Sequence, residues 1–285
     1  MRVSRLFGHT LRQPPADAEL VSHQLLMRAA MIRPLAAGVY AYLPLGWRVI
    51  RRIERMFRQG MDALGGQEMC VPALHPADLW RASGRLERAG AIILRFRDRS
   101  GRDTVLAPGD EESLTDLLRR ELHSHRQLPL LLYHIQTRFH DEPRPGDGLL
   151  RTREFLTGDA YSFHVDAADL DVLYVRICET CAHIFRHCGV EALAVEADPG
   201  LAAEGDAHAF VVLHERGDEM VLLCTGCDYA AHVSRATFQK GELPDKPLEE
   251  SQEVATPGCK TIAAVADFVG VPEQRTIKAV FYADR

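Results

Sequence analysis

A short stretch of the sequence, from Phe139 to Phe155, brings three different kinds of chemical group close together. It contains a carboxylate at Glu142, a guanidinium at Arg151 and an aromatic ring at Phe155, and a further carboxylate follows at Asp159. Arginine presents a planar fork of donors that matches phosphate oxygens. A glutamate can accept a hydrogen bond from an amino group on a base, and a phenyl ring offers a face for stacking. The combination fits a nucleotide.

Charge alone favours a simpler interpretation of the same segment. The apolar run Leu128–Gln136 leads into it and the extended run Leu156–His164 leads out of it, so two antiparallel strands are predicted. Charged residues near the tip of such a hairpin commonly pair across the strands in solvent. The residue types therefore leave two interpretations open, a solvated hairpin and a nucleotide-binding platform.

Hydrophobic spacing predicts the elements that would carry this hairpin. Antiparallel strand pairs interspersed with helices indicate an α+β fold rather than a parallel β-α-β sheet. The predicted helices are Pro15–Met31, Trp47–Leu64 (ended by Gly65 and Gly66), Glu112–His123, Ala167–His187 and one beginning near Asp228. The predicted strands are an aromatic one at 38–46, a short one ending at Pro72, a hairpin at Ala91–Pro108 and a strand pair within His208–Cys224.

Composition restricts the class of protein. A hydrophobic fraction of 46% and a charged fraction of 26% are typical of a soluble globular protein. The formal net charge of −6 argues against tight nucleic-acid binding by this chain alone. No apolar run approaches the roughly 20 residues that a membrane helix needs, and no signal-peptide pattern is found. A cytoplasmic protein without membrane contact is expected.

The chain has seven cysteines, an odd number that favours reduced thiols in the absence of a secretion signal. Four of them form two C-x-x-C pairs, Cys178/Cys181 and Cys224/Cys227. Four thiolates could hold a structural zinc ion, but the gap between the pairs is far longer than the roughly 15–20 residues of the usual signature. No built-in metal site is predicted, and metal binding by these pairs stays open.

The order Phe-x-x-Glu, turn, Arg-x-x-x-Phe-x-x-x-Asp resembles the second signature motif of class II aminoacyl-tRNA synthetases. More narrowly, the chain resembles bacterial prolyl-tRNA synthetase over nearly its whole length. The similar blocks are "SHQLLMRAAMIRPLAAGVYAYLPLGWRV", "HPADLW", "QLPLLLYHIQTRF", "RTREFLTGDAYSFH", "CDYAAH" and "KTIAAVADFVGVPEQRTIKAV". The resemblance implies a class II catalytic core, an antiparallel sheet flanked by helices.

The resemblance also implies a reaction. Enzymes of this family join proline to ATP, releasing pyrophosphate, and pass the prolyl group to tRNA(Pro), with Mg²⁺ entering as the metal of ATP. Carried over by position, Glu142 is expected to read adenine, Arg151 to meet the ATP phosphates and Phe155 to stack on the base. Pro72 matches the proline that ends the first motif at the family's dimer interface, so a two-fold homodimer is expected.

One position in the second motif departs from the family. The residue after its phenylalanine is normally an arginine that bridges the substrate carboxylate and the α-phosphate, and here it is His140. A neutral imidazole lacks both the charge and the bidentate fork of arginine. Arg138 stands two positions earlier on the same face of the strand and could substitute in part. The predicted catalytic set is therefore His140, Arg138, Glu142 and Arg151.

The expected amino-acid pocket departs as well. The family's Pro-Thr-His-Glu-Glu reads "PGDEE" here, so Gly109 and Asp110 replace the threonine and the histidine. Glu111, expected to face the proline nitrogen, is kept. A simpler interpretation of this run is a helix start with Asp110 as its N-cap. The other predicted pocket residues are Asp159, His208 and Phe210, and the family's glutamate between the last two is Ala209.

Residues 1–239 are predicted to form a partial catalytic core, 240–258 a polar linker, and 259–285 the beginning of an editing-type inserted domain. The third class II motif and an anticodon-binding domain are not found in the sequence. Three functions are therefore weighed: a proline–tRNA ligase chain, a catalytically impaired paralogue that binds or regulates, and a tRNA-independent amino-acid adenylating protein. The departures favour an impaired paralogue over a simple truncation and predict weak or no activation of proline.

Overall fold

The computed structural model describes residues 2–200, 205–237 and 253–276. It contains two compact units, Met1–Thr237 and Phe238–Arg285. The described part of the second unit holds helix α7, numbered last in chain order, at Ile262–Val269. The predicted helix there is confirmed, whereas the strand expected after it and most of the linker lie outside the described residues. The domain boundaries stay a prediction.

The N-terminal part of the first unit differs from the sequence prediction. Helix α1 covers only Val21–Arg28, so the helix predicted from Pro15 was too long. It is followed by a hairpin of β1 (Ile32–Ala36) and β2 (Val39–Tyr42), of which only the second strand was predicted. Pro34 lies within β1, which a two-stranded sheet tolerates because both of its strands are edges.

The long helix α2, Pro44–Ala63, confirms the periodic pattern of apolar residues. Pro44 stands at its first turn, where the missing N–H costs no hydrogen bond. The helix ends before Gly65, whose φ of +84° lies in the left-handed region that glycine adopts without strain. Local chemistry therefore fixes both ends of α2.

The charged segment is carried by a hairpin of two ten-residue strands, β7 (Leu130–Phe139) and β8 (Glu154–Phe163). They pair antiparallel in unbroken register, with Arg138 opposite Phe155. A two-residue strand, β3 (Gln67–Glu68), joins the other side of β7 in parallel. The predicted strand ending at Pro72 is thus much shorter than expected, since pairing stops four residues earlier.

A second sheet and its helices form the main apolar cluster of the first unit. The elements are β4 (Leu74–Pro76), α3 (Ala77–Ala82), α4 (Arg85–Arg88), β5 (Leu94–Arg97) and β6 (Asp103–Leu106). The hairpin of β5 and β6 confirms the prediction. The cluster consists of fully or nearly buried side chains from these elements and the loops that flank them: Ala77, Trp80, Leu86, Ala89, Ile93, Val105 and Ala107.

The remaining elements are α5 (Glu111–Glu121), α6 (Ala167–His187), β9 (Leu193–Ala197), β10 (Ala207–Val211), β11 (Val221–Leu223) and β12 (Ala230–His232). The last four strands form a sheet in the order β10-β9-β12-β11. Two predictions were wrong here. The residues near Asp228 lead into β12 rather than a helix, and β10 and β11 do not pair with each other, because the buried strand β12 and β9 separate them.

The observed architecture is α+β, with mainly antiparallel sheets flanked by helices, as predicted. Within the described residues, none of the helices combines the length and the apolar character needed to cross a membrane.

Candidate active site

The tip of the β7–β8 hairpin is held from two sides by neighbouring loops. The backbone N–H of Arg153 donates to the carbonyl of Gly38 at 2.8 Å, and that of Asp141 donates to Ile92 at 2.9 Å. Gly38 lies in the β1–β2 turn at a φ of +73°, where an added Cβ would come within 2.6 Å of the Pro145 Cβ. The close approach therefore requires glycine, and it fixes the tip relative to the N-terminal hairpin.

His140 packs against Phe155. Their ring centroids lie 4.8 Å apart with an interplanar angle of 78°, which is an edge-to-face contact. The backbone N–H of His140 also donates to the Arg153 carbonyl at 2.9 Å. The structure thus brings together a predicted phosphate-side residue and the predicted stacking residue.

The environment of His140 favours its neutral form. Burial lowers the pKa of its imidazole, Glu142 raises it, and Arg138 lowers it further, with a net lowering from the ordinary value. At neutral pH this position therefore supplies no positive charge. This partial burial is a physical reason to expect that histidine replaces arginine poorly at position 140.

The charge of Glu142 acts on Arg151 across the tip, but each of the two side chains has a different direct partner. The Glu142 carboxylate accepts from the backbone N–H of Arg144 at 2.9 Å. Arg151 forms an ion pair with Asp218, and hydrogen bonding to Asp218 raises its pKa, with Glu142 adding to the rise. Arg151 is exposed and Glu142 is half-buried, and a ligand can displace an exposed ion pair such as that of Arg151 at little cost.

Arg138, the predicted partial substitute for the missing arginine, is one of the buried charged groups of the site. Only 1% of it is exposed. Its guanidinium pairs with Asp110 and with Asp159, the latter at 2.7 Å. Hydrogen bonds to these two carboxylates raise its pKa although burial alone would lower it. The guanidinium of Arg138 is therefore already bound by two carboxylates of the protein itself.

Asp110 belongs to the same buried group and also stands at the N-cap of α5, as the helix-start interpretation expects. Its side chain makes no capping hydrogen bond to α5 and is fully buried. One of its oxygens, Oδ2, instead accepts from Gln136 Nε2 at 2.9 Å and lies 2.8 Å from His134 Nε2. We call Asp110, His134, Arg138 and Asp159 the charged cluster.

The charged cluster keeps Asp110 ionised. Burial by itself would raise the pKa of this carboxyl, but hydrogen bonds from His134, His75 and Arg138 outweigh it and hold the pKa far below its ordinary value. Asp159 is also held in place, because Thr157 Oγ1 donates to its Oδ2 at 2.9 Å. Two carboxylates and one guanidinium thus form the floor of the hairpin face.

Asp110, His134 and Asp159 are the only trio of potential metal ligands that lie close enough together within the described parts of the chain. The Arg138 guanidinium bonds to both carboxylates of this trio, so it already occupies the position that a cation would take. These residues therefore do not fit a resident metal ion.

A linked set of hydrogen bonds runs from the charged cluster to Pro72. Trp80 Nε1 can only donate, and it lies 3.2 Å from His75 Nδ1, so the proton of a neutral His75 is on Nε2. That nitrogen lies 2.8 Å from the Pro72 carbonyl and 3.2 Å from Asp110 Oδ1. The predicted dimer-interface proline is therefore connected to the pocket floor through one buried histidine.

Glu111 and Gly109 are matched to each other. A Cβ at position 109 would lie 2.4 Å from Glu111 Oε2, so the observed orientation of this carboxylate requires glycine beside it. Glu111 Oε2 also lies 3.1 Å from Arg85 Nη1. The replacement of threonine by glycine therefore lets the glutamate turn back over its own helix start.

His208 and Phe210, the other predicted pocket residues, lie on β10. Tyr174 Oη lies 2.9 Å from His208 Nδ1, and the Phe210 ring lies 5.4 Å from that of Phe185. Both partners belong to α6, so these contacts tie β10 to that helix rather than to the charged cluster. Part of the block that precedes them, 201–204, lies outside the described residues.

The role of His134 and Gln136 was missed, although the sequence holds a signal for it. His134, Gln136 and Arg138 alternate along β7, so a strand assignment places all three on one face. With an acid opposite on β8, this alternation indicates a polar cluster under the hairpin.

Replacing Asp110 by asparagine should flatten the acid dependence of stability. Because the pKa of Asp110 is lowered by folding, the wild-type free energy of unfolding contains a contribution that is present above about pH 4, the usual value for an unfolded aspartate, and is lost below it. The measurement is the urea midpoint between about pH 5 and pH 3. Asp171→Asn, at an exposed position of α6, is the control and should keep the wild-type slope. Identical slopes for wild type and Asp110→Asn would contradict the assignment.

An antiparallel hairpin that carries the motif-two residues, with helices packed around it, defines the catalytic core of a class II aminoacyl-tRNA synthetase. Residues 94–267 match the model of the tRNA synthetase class II core domain (G, H, P, S and T). The chain belongs to this family.

Within the family, the chain is most informatively compared with proline–tRNA ligases. It is 45% identical over 282 residues to that of Dehalococcoides mccartyi (strain ATCC BAA-2266 / KCTC 15142 / 195). It is 47% identical over 286 residues to that of Halothermothrix orenii. Each alignment covers 99% of this chain and 50% of the relative, so the chain spans about half the length of the curated relatives it matches. The resemblance to the prolyl enzymes is confirmed.

Solved structures agree on the fold. Prolyl-tRNA synthetase from Cryptosporidium parvum, complexed with halofuginone and AMPPNP, superposes with a TM-score of 0.60 at 16% identity and covers 66% of this chain and 40% of that one. The Giardia lamblia enzyme in complex with prolyl-adenylate gives a TM-score of 0.55 at 19% identity, covering 61% of this chain and 37% of that one. At these identities the likeness concerns the architecture.

Proposed function

We propose that this chain takes part in ATP-dependent activation of proline and its transfer to tRNA(Pro). The observation that carries the proposal is the tip of the β7–β8 hairpin, where Phe155 lies on β8 and Glu142 and Arg151 lie in the segment that connects the two paired strands. Similarity to proline–tRNA ligases along 99% of the chain supports it. The cytoplasm, where translation takes place, is the expected location.

In this proposal each tip residue has one task. Phe155 stacks on adenine, Glu142 accepts a hydrogen bond from its amino group, and Arg151 exchanges Asp218 for a phosphate. Mg²⁺ enters with ATP and neutralises phosphate charge, as in other phosphoryl-transfer sites. Related solved structures are complexes with AMP, AMPPNP or prolyl-adenylate, which supports nucleotide and proline as ligands.

The amino acid is proposed to bind beside the charged cluster. Glu111 faces the ring nitrogen of proline, and Asp159 with the β10 residues His208 and Phe210 completes the pocket. Arg138 is shared between Asp110 and Asp159, and Glu111, which lies beside Arg85 in the free protein, turns to the substrate's cationic nitrogen. A homodimer, with Pro72 at the interface, is the proposed assembly.

Proline-dependent ATP–pyrophosphate exchange by the purified chain tests the proposal. The expected result is slow exchange that requires proline, since His140 is uncharged at neutral pH. Arg151→Met should lower it by about a hundredfold through loss of a phosphate contact. Arg126 is an exposed arginine in the segment before β7. Arg126→Met is therefore the matched control and should have no effect on exchange.

Two results would contradict the proposal. Exchange supported equally by another amino acid would favour a tRNA-independent adenylating protein. No exchange, together with no shift of the melting temperature by ATP and proline, would favour a binding or regulatory module.

A further inference from the structure

The turn between β11 and β12 holds a pair of exposed cysteines, Cys224 and Cys227. The Cys224 backbone N–H donates to the Tyr229 carbonyl at 2.9 Å, which closes the turn. The backbone N–H of Gly226 points at the Cys224 sulfur, with a nitrogen–sulfur distance of 3.4 Å. The turn therefore places both thiols at the surface and directs backbone donors at the first of them.

These donors favour the thiolate form of Cys224. The hydrogen bond from the Gly226 backbone lowers its pKa, and the thiol and backbone N–H of Cys227 lower it further. The thiolate is the form of cysteine that attacks a disulfide. A nucleophilic sulfur and a second thiol in contact with it are the two groups that a dithiol exchange reaction needs.

The other C-x-x-C pair of the chain provides an internal contrast. Cys178 and Cys181 have the same spacing but lie one helical turn apart in α6, where both are partly buried. Burial raises the pKa of each thiol. Equal spacing in sequence therefore leads to an exposed pair with a backbone donor directed at Cys224 in the turn, and to a partly buried pair in the helix.

We propose that Cys224 and Cys227 form a reversible thiol–disulfide site that reacts with small-molecule disulfides. The Cys224 thiolate attacks one sulfur of the small disulfide, forming a mixed disulfide and releasing one small thiol. The Cys227 sulfur, after losing its proton, then attacks Cys224 and releases the second small thiol. The protein loses two protons and two electrons, and the small disulfide is reduced to two thiols.

The described residues favour this chemistry over a structural metal site. Among them, no third histidine, cysteine or acidic side chain joins Cys224 and Cys227 within ligand distance. A structural zinc ion needs four ligands, so this turn supplies at most half of a site. Exposed disulfides are also the ones that reduce readily, which makes the site reversible. The inference does not depend on the proposed function.

The test is incubation of the full chain with oxidised and reduced glutathione, followed by alkylation and peptide mapping. We expect a loss of two hydrogens in mass that maps to the Cys224–Cys227 peptide and is reversed by dithiothreitol. Cys227→Ser should accumulate a mixed disulfide on Cys224. Cys224→Ser should form an adduct on Cys227 at least about tenfold more slowly.

The double variant Cys178→Ser/Cys181→Ser is the matched control and should oxidise like wild type. The inference is overturned if all seven thiols stay free, if the disulfide maps to another pair, or if Cys227→Ser traps no adduct on Cys224. Release of stoichiometric zinc from the purified chain by a thiol reagent, lost in Cys224→Ser, would also overturn it. In that case Cys224 would be a zinc ligand.

Discussion

Replacing His140 by arginine is expected to raise the rate of proline-dependent ATP–pyrophosphate exchange by about a hundredfold. The position follows directly on β7, and its backbone is fixed by the hydrogen bond to the Arg153 carbonyl. An arginine there would start from the same anchored backbone and present a permanent charge and a bidentate fork. The imidazole does neither at neutral pH, because burial lowers its pKa.

The comparison needs two controls. His125→Arg makes the same chemical change at an exposed position in the loop before β7 and should leave exchange unchanged. His140→Gln removes the titratable group without adding charge and should not increase the rate. If His140→Arg has no effect while ATP still binds, position 140 does not take part in the chemistry, and the motif-two assignment of the tip is wrong.

The pH profile separates charge from geometry. Protonation of His140 gives the wild type a positive charge only below its lowered pKa, so exchange relative to His140→Gln should rise as the pH falls below about 6.5. His140→Arg should lack this rise because its charge does not change in that range. The ratio of the variants at each pH removes the titration of ATP itself from the comparison.

Local patterns explain why some elements could be predicted from the sequence. The helix α2 has apolar residues every three or four positions, a proline at its first turn and glycine after its end, so three independent signals agree. The β7–β8 hairpin has two long apolar runs around a turn rich in proline and glycine. Agreement between local signals and the final fold is what makes such elements predictable.

The errors fall where pairing with distant strands decides the structure. The residues of β12 are small and were assigned to a helix, yet Ala230 and Ala231 are buried between β11, which precedes them by one turn, and the more distant strand β9. Asp110 does stand at the N-cap of α5, but the partners of its side chain were not predicted, because only its neighbours in sequence were considered. Its actual partners, His134 and Arg138, are more than twenty residues away.

The same distinction applies to the candidate site. The sequence alone shows the chemical types and the order of Glu142, Arg151 and Phe155, because the motif is continuous except for its turn. The ion pairs of Arg138 with Asp110 and Asp159 could not be predicted from the sequence, because they form only where three separate elements meet. Arg138 is therefore better described as a structural cation than as a replacement for the missing arginine.

Replacing Arg138 by methionine is expected to destabilise the protein by about 3–5 kcal/mol. The substitution keeps most of the side-chain length but leaves the Asp110 and Asp159 carboxylates without their shared cation. Asp110 is fully buried, so water cannot take over the role of the guanidinium. The measurement is the free energy of unfolding in urea at neutral pH.

A second substitution distinguishes lost charge pairing from lost packing. Arg138→Met/Asp110→Asn removes one of the two uncompensated charges and should recover part of the loss, whereas a packing defect would be unaffected by it. Arg102→Met, which breaks an exposed ion pair with Asp98, should leave the urea midpoint nearly unchanged. If Arg138→Met is as stable as this surface control, the charged cluster does not hold the hairpin to α5. The pocket floor would then have to be supported by the apolar contacts of β7 alone.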